Sequence, residues 1–326
     1  MKKVKITEII PKIREHQVMR DFTTLRVGGV ADYFLEVFTA DELVFAVRKA
    51  VELKIPYFIL GNGSNILFSD YGFPGLVIKN STANISFMNE KSQIMVDSGV
   101  SLGRLITEAV SNHLSGLEFL FGVPGTVGGA VYGNAGAYGS AIGDYVKNVT
   151  ILNLDPKDGI PKIYQYDRSW MKFAYRDTSI KKLKGKMKPT ILSVRFQLAQ
   201  NQKEEILKKL NLFKEKRQQS QPVGLSCGCI FRNPIPKELQ GFEGQGTKGM
   251  PELPTERRAG FLLDQAEAKK MKINQAEVSS KHANFIINKD GAKAADIRML
   301  IEEMRAKVLE KFNIVLQEEI EYIGQW

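Results

Sequence analysis

Apolar residues along the chain recur at two spacings, and the alternation between them sets the expected order of elements. From Asp41 to Lys54 (DELVFAVRKAVELK) they return every three to four positions behind a capping-type Asp, which predicts an amphipathic helix, and PYFIL follows as a short strand. That strand runs into Gly61-Asn62-Gly63-Ser64-Asn65, a stretch too rich in glycine for regular structure, and GLVIK resumes as a second strand. The alternation returns with IMVDSG as a strand and SLGRLITEAVSNHL as a helix, whose Leu102, Leu105, Ile106, Ala109, Val110 and Leu114 share one face. Between Val149 and Leu198, the segments VTILNL, PKIYQY and TILSVRFQL predict strands that close the first half as a sheet. A polar helix, EEILKKLNLFKEKRQQS, then opens a further domain. A helix near Arg257 to Lys270, the strand ANFIIN, a helix from Ala292 to Phe312 and a terminal strand, IVLQEEIEYIG, complete it. Residues 235–256 hold Gly and Pro without periodicity and read as an exposed loop interrupting that domain.

Composition narrows the class. With 326 residues, 43% apolar and 25% charged, the chain can bury a substantial core and divides into two or three domains. No run approaches the roughly 18 apolar residues of a membrane helix, and MKKVKITEIIPKIREH has no long apolar stretch for secretion, so the expected compartment is the cytoplasm. The net charge of +10 points to an anionic partner without choosing among nucleic acid, a membrane surface and phosphorylated small molecules. The densest positive stretch, Lys181, Lys182, Lys184, Lys186 and Lys188, reads as a solvated loop, and no nucleic-acid module accompanies it. Cys227 and Cys229, the two cysteines, stand one glycine apart in SCGCIFRNP. A disulfide there would close a strained small ring. His16, His113 and His282 lie too far apart in sequence to suggest a metal cluster around the thiols.

Glycine carries the strongest chemical signal. The loops GNGSN and GVPGTVGGAVYGNAG present many backbone N–H groups without β-carbons in front of them, the arrangement a diphosphate needs. Neither matches G-x-G-x-x-G, and no G-x-x-x-x-G-K-[ST] exists in the chain. Two such loops, each fed by strand-like segments, suit an extended phosphate-containing cofactor better than a Rossmann dinucleotide site.

Seven ordered motifs carry a resemblance: TTLRVGG at 23–29, LGNGSNIL at 60–67, GVPGTVGGAVYGNAGAYG at 122–139, YRDTS at 175–179, SCGCIFRNP at 226–234, KHANFIIN at 281–288 and a terminal L-x-x-E-I-x-x-I-G. Together they resemble the UDP-N-acetylenolpyruvoylglucosamine reductases, the MurB family of peptidoglycan precursor synthesis, from about Phe22 to Gly324. The resemblance implies an α+β flavoprotein. A two-subdomain FAD-binding fold of the PCMH/vanillyl-alcohol-oxidase type (1–80 and 81–202) would precede a smaller α+β substrate domain (203–326) with 235–256 inserted in it. It implies noncovalent FAD, NADPH as hydride donor and UDP-N-acetylglucosamine-enolpyruvate as substrate. The remaining expectations are a monomer with no metal, no nucleic acid and no membrane.

Residue by residue, the resemblance places Gly61, Asn62, Gly63, Ser64 and Asn65 in a first FAD loop, and Gly125, Thr126, Gly128, Gly129, Asn134 and Gly136 in a second. Arg176 falls on the family's catalytic arginine; taken alone it suits an ion pair with Asp177 as well. Glu319 falls on the catalytic glutamate. Glu321, on the same side of an alternating strand, is the second candidate. Cys229 stands where the family commonly has the proton-donor serine, a substitution that keeps the role because a protonated thiol is the better acid. Cys227 is then structural. Asn233, Tyr175 and Arg217 are the implied substrate contacts.

The short connection after Arg176 resembles the family branch without a tyrosine-bearing loop. Residues 235–256 would then be a replacement lid or a surface insertion. Two rivals remain, a flavin oxidase with a related FAD-binding arrangement and a basic nucleic-acid-binding protein. The first commonly tethers FAD to a histidine near the first glycine loop, where this chain has none, and the second gives the glycine loops no role. Purified protein should be yellow and should release unmodified FAD on denaturation; a colourless protein overturns the flavoprotein reading.

Overall fold

The computed structural model describes residues 6–88, 92–183, 188–234 and 254–326. The lid or insertion expectation for 235–256 falls almost wholly outside them. Strands β1 (Arg14–Val18) and β2 (Val30–Val37), helix α1 (Ala40–Glu52), and strands β3 (Tyr57–Leu60), β4 (Ile66–Phe68) and β5 (Phe73–Asn80) form the first layer. Its sheet runs β1-β2-β5-β3, with β1 antiparallel to β2 and β5 parallel to both β2 and β3. The central β5 is buried on both faces at Leu76, Val77 and Ile78, which explains its unbroken apolar run. Helix α1 packs Leu43, Ala46, Val47 and Ala50 against that sheet. Its cap is Thr39 rather than the expected Asp41: the Thr39 hydroxyl accepts from Glu42 N at 3.1 Å, and the Glu42 carboxylate accepts from Phe38 N at 2.8 Å.

The second layer contains β6 (Ile85–Met88), β7 (Gln93–Asp97), helices α2 (Leu102–Ser111) and α3 (Val127–Tyr132), and the strands β8 (Val146–Leu154), β9 (Pro161–Asp167) and β10 (Thr190–Gln197). The sheet is antiparallel throughout, in the order β9-β8-β10-β7-β6. Leu102, Leu105, Ile106, Ala109 and Val110 of α2 are buried against it, as their spacing requires. Helix α4 (Lys203–Ser220) buries only Ile206 fully and crosses to the third layer, in keeping with its polar sequence.

That layer consists of α5 (Ala259–Gln265), the antiparallel strands β11 (Lys272–Ile273), β12 (Ala276–Val278) and β13 (Ile286–Asn288), and α6 (Ala294–Phe312). The single helix expected near Arg257 to Lys270 is broken. Glu267 takes φ +60° after α5, and 268–270 form a separate 3-10 turn. The terminal strand is also shorter than expected. Only β14 (Glu321–Ile323) is extended in a ladder, and its partner is β4, in parallel register Glu321 to Ile66 through Ile323 to Phe68.

The third layer therefore grows out of the first. Leu25, Val27 and Leu67 share a buried cluster with Phe231, Leu263, Ile297 and Leu316. Asn288 Nδ2 donates to Leu25 O at 2.8 Å. Both carboxylate oxygens of Asp70 accept from the first turn of α6, from Ala294 N and Ala295 N at 2.9 Å each, so a residue of the first layer caps a helix of the third. No helix among the described residues is long and apolar enough to cross a membrane. Asp70→Ala should lower the unfolding free energy by about 1 kcal/mol in urea titration, and Asp70→Asn should recover part of it; equal stability of all three would show that the cap carries nothing.

Candidate functional site

The two glycine loops lie against each other. A β-carbon on Gly61 would meet Thr126 Oγ1 at 2.6 Å, and one on Gly128 would meet Ser98 Cβ at 2.8 Å. Gly63 has φ +61°, and its added carbon would strike Phe22 O at 2.3 Å, so the turn admits no side chain there. By contrast, β-carbons on Gly125 and Gly129 would reach nothing closer than 3.6 and 3.5 Å, which leaves their backbone open on one side. Thr126 caps α3 by accepting from Gly129 N at 3.3 Å. Backbone amides without side chains in front of them, at the seam of two abutting loops, fit a diphosphate-bearing group such as FAD.

Not every residue assigned to these loops is free for a ligand. Asn65 Nδ2 donates to Glu319 O at 3.1 Å, and Asn65 O accepts from Glu321 N at 3.1 Å. Asn134 is buried, with Nδ2 donating to Ala174 O at 2.7 Å and Oδ1 accepting from Gly143 N at 3.1 Å. Both asparagine side chains therefore pin other parts of the site, so a cofactor contact from either would come through its backbone. An Asn in a glycine loop looks the same in sequence whether its amide meets a ligand or a remote carbonyl.

Arg176 stands in a two-residue turn closed by Ala174 N to Asp177 O at 2.9 Å and Asp177 N to Ala174 O at 3.2 Å. Its φ of +54° is a conformation that L side chains seldom adopt, and it is held there by the Asn134 contact to Ala174 and by Thr178 Oγ1 donating to Tyr132 O at 2.8 Å. Arg176 Nε lies 2.8 Å from Glu319 Oε1, both side chains being about one-fifth exposed; the contact is a charge pairing without hydrogen-bond alignment. Asp177 is not the partner, since it pairs with Lys182 at 3.2 Å. A β-carbon on Gly136 would come 3.2 Å from Arg176 Nη1, so the guanidinium borders the second glycine loop.

The two candidate glutamates separate cleanly. Ile320 is buried between them, and Glu319 meets Arg176 while Glu321 meets Lys181 at 3.2 Å. Glu318 faces away, pairing with Arg305 and accepting from the Tyr322 hydroxyl at 3.1 Å. Lys181 is thus no solvated loop residue: its side chain is 13% exposed. Lys184 and Lys186 of the same run fall outside the described residues.

Cys227 is buried and Cys229 half-buried, both as free thiols, and the described residues contain no metal-binding cluster. The backbone around Cys229 is fixed by an antiparallel bridge to Phe285, and Glu319 N donates to Ile230 O at 2.7 Å. Burial pushes the Cys229 thiol up to about 12; the Glu319 charge adds to the rise, while Arg176 and Arg217 oppose it. Cys227 is pushed up to about 12 by burial. Arg217 donates from Nη2 to Phe119 O at 3.2 Å and lies over the Tyr138 ring at 5.7 Å. Asn233 N donates to the Tyr175 hydroxyl at 3.3 Å, and Asn233 Oδ1 accepts from Ala259 N at 3.0 Å, so those two substrate candidates stand together at the start of α5.

Residues 31–157 match the FAD binding domain family, and residues 219–323 match the C-terminal domain family of UDP-N-acetylenolpyruvoylglucosamine reductase. The chain is 35% identical over 331 aligned positions to a UDP-N-acetylenolpyruvoylglucosamine reductase of Carboxydothermus hydrogenoformans, covering 100% of both proteins. It is 36% identical to one of Acaryochloris marina, over 97% of this chain and 94% of that protein. The crystal structure of UDP-N-acetylenolpyruvylglucosamine reductase (MurB) from Thermus caldophilus superposes with a TM-score of 0.75 at 32% identity, over 96% of this chain and 100% of that one. Full-length identity at this level, a shared fold and the two domain matches establish that the chain belongs to the UDP-N-acetylenolpyruvoylglucosamine reductase family.

Proposed function

We infer that this chain reduces UDP-N-acetylglucosamine-enolpyruvate to UDP-N-acetylmuramate with NADPH and FAD, as a cytoplasmic, monomeric enzyme acting on small molecules. The observation that carries the reading is convergence. Arg176, Glu319 and Cys229 come from three distant stretches of chain and meet beside the glycine loops, Arg176 against Glu319 at 2.8 Å and Cys229 within the field of both charges. Gly61, Gly63 and Gly125 would meet the cofactor with their backbone, while Gly128 and Gly129, whose N–H groups donate to Ser98 O at 2.8 Å and Thr126 Oγ1 at 3.3 Å, would give it room. FAD bound there would supply hydride transfer between NADPH and the enolpyruvyl double bond.

The side chains supply what that hydride leaves unbalanced. Addition at the terminal carbon puts negative charge on the adjacent carbon and its carboxylate. Glu319 occupies the Nε side of Arg176, and no hydrogen bond among the described residues uses the terminal nitrogens, so these can meet the two carboxylate oxygens. In a site with little water, that contact strengthens as charge accumulates. The Cys229 S–H then gives its proton to carbon, completing the C–H bond and leaving a thiolate that Arg176 and Arg217 stabilise. Asn233, Tyr175 and Arg217 are proposed to orient the UDP-sugar.

Anaerobic reduction by NADPH followed by reoxidation with UDP-N-acetylglucosamine-enolpyruvate tests the assignment directly, and a loaded flavin that the substrate does not reoxidise would sink it. Cys229→Ala should leave reduction by NADPH intact and slow reoxidation by roughly 10²–10⁴-fold, the usual span for losing a general acid, with Cys229→Ser recovering much of the rate. The active thiol is the protonated one, so the rate falls as pH rises through its pKa, and raising that pKa moves the fall upward. An ordinary thiol would lose half its donor form near about pH 8.5; with the thiol held up to about 12, single-turnover reoxidation should stay level through that region. A fall centred near 8.5 that Cys229→Ser removes would contradict it.

A further inference from the structure

The segment that follows Arg176 meets the chain terminus at two ion pairs, and the chemistry above uses one. The second joins Lys181 Nζ to Glu321 Oε1 at 3.2 Å. Glu321 Oε2 accepts from the Tyr132 hydroxyl at 3.3 Å, and that hydroxyl accepts from Lys188 Nζ at 2.9 Å. The Tyr132 ring lies 5.8 Å from the Lys181 ammonium and 5.5 Å from that of Lys188. A long lysine side chain ordered in a sheltered place gives up rotamer freedom that a lone exposed ion pair rarely returns in stability.

Position accounts for the arrangement better than stability does. Glu319 stands two residues before the first residue of β14, across a bend at Ile320, and the ladder that anchors it is only three residues long. The opposing segment carries Arg176 on a left-handed turn and Lys181 on the single helical turn Ser179–Lys182. Two charge contacts between these segments, neither aligned as a hydrogen bond, together with the tie to α3 through Tyr132, limit how far Glu319 can move along Arg176. We propose that Lys181, Glu321 and Tyr132 are positioning residues for the substrate half-reaction, holding Glu319 on the Nε side of Arg176 so that the terminal guanidinium nitrogens stay turned toward the substrate carboxylate. This rests on the catalytic reading of Arg176 and Glu319. NADPH carries no enolpyruvyl carboxylate, so the network acts on the second half-reaction and spares the first.

The test uses the FAD-loaded enzyme and follows each half-reaction by flavin absorbance. Lys181→Met should keep flavin content and the rate of reduction by NADPH within about twofold of wild type while reoxidation by UDP-N-acetylglucosamine-enolpyruvate slows by on the order of tenfold or more, the scale expected for a small misplacement of a reacting group. Lys181→Arg should restore most of that rate. Glu321→Gln, which keeps the shape and the tyrosine contact while removing the charge, should slow the same step and serves if Lys181→Met does not fold. Unchanged reoxidation in both variants overturns the proposal. So does an equal fall in flavin content and in both half-reactions that Lys181→Arg does not repair, since a purely structural pair behaves that way. Wild-type enzyme that the substrate fails to reoxidise would overturn the catalytic reading itself, and is told apart by needing no variant.

Discussion

The parallel pairing of β14 with β4 is the contact on which the site depends. It brings residues 321–323 beside residues 66–68, immediately after the first glycine loop, and the hydrogen bonds from Asn65 to Glu319 and from Glu321 to Asn65 extend that junction toward the cleft. The first glycine loop and the acid that faces Arg176 are consequently set by one short ladder. Around it, Leu67 and Ile320 enter the same buried cluster, so apolar burial holds the strand in place while the polar contacts set its register.

On this frame the charged groups are arranged to oppose one another. Arg176 is desolvated and would be costly alone; Glu319 balances it. The same glutamate adds to the rise of the Cys229 thiol, and Arg176 and Arg217 oppose it. One acid thus serves two neighbours, and the strained turn at Arg176 is the backbone conformation that lets it reach both loop and terminus.

Much of the local structure could be read from periodicity. The faces of α1 and α2, the doubly buried run in β5 and the breaks at both glycine loops all report on neighbours a few residues away, which is the range over which side-chain spacing carries information. The reading failed where the deciding partner was remote. Nothing near Asp70 marks it as the cap of a helix 224 positions later, and nothing near Asn65 marks its amide as bound to Glu319. Lys181 looked like part of a solvated run because four other lysines surround it in sequence. Only the fold turns its side chain toward Glu321. Strand alternation likewise put Glu319 and Glu321 on one side, and only the fold shows that they face different cations.

The β4–β14 ladder also has a consequence for how the chain is made. Synthesis releases β4 first, with Ile66, Leu67 and Phe68 all destined for burial, while the strand that covers its edge emerges only much later along the chain. Until then the nascent protein carries an apolar strand with unpaired backbone groups, a template for pairing with other chains. Final closure of the seam beside the first glycine loop therefore waits for β14, and loss of that strand would expose an edge far from it in sequence.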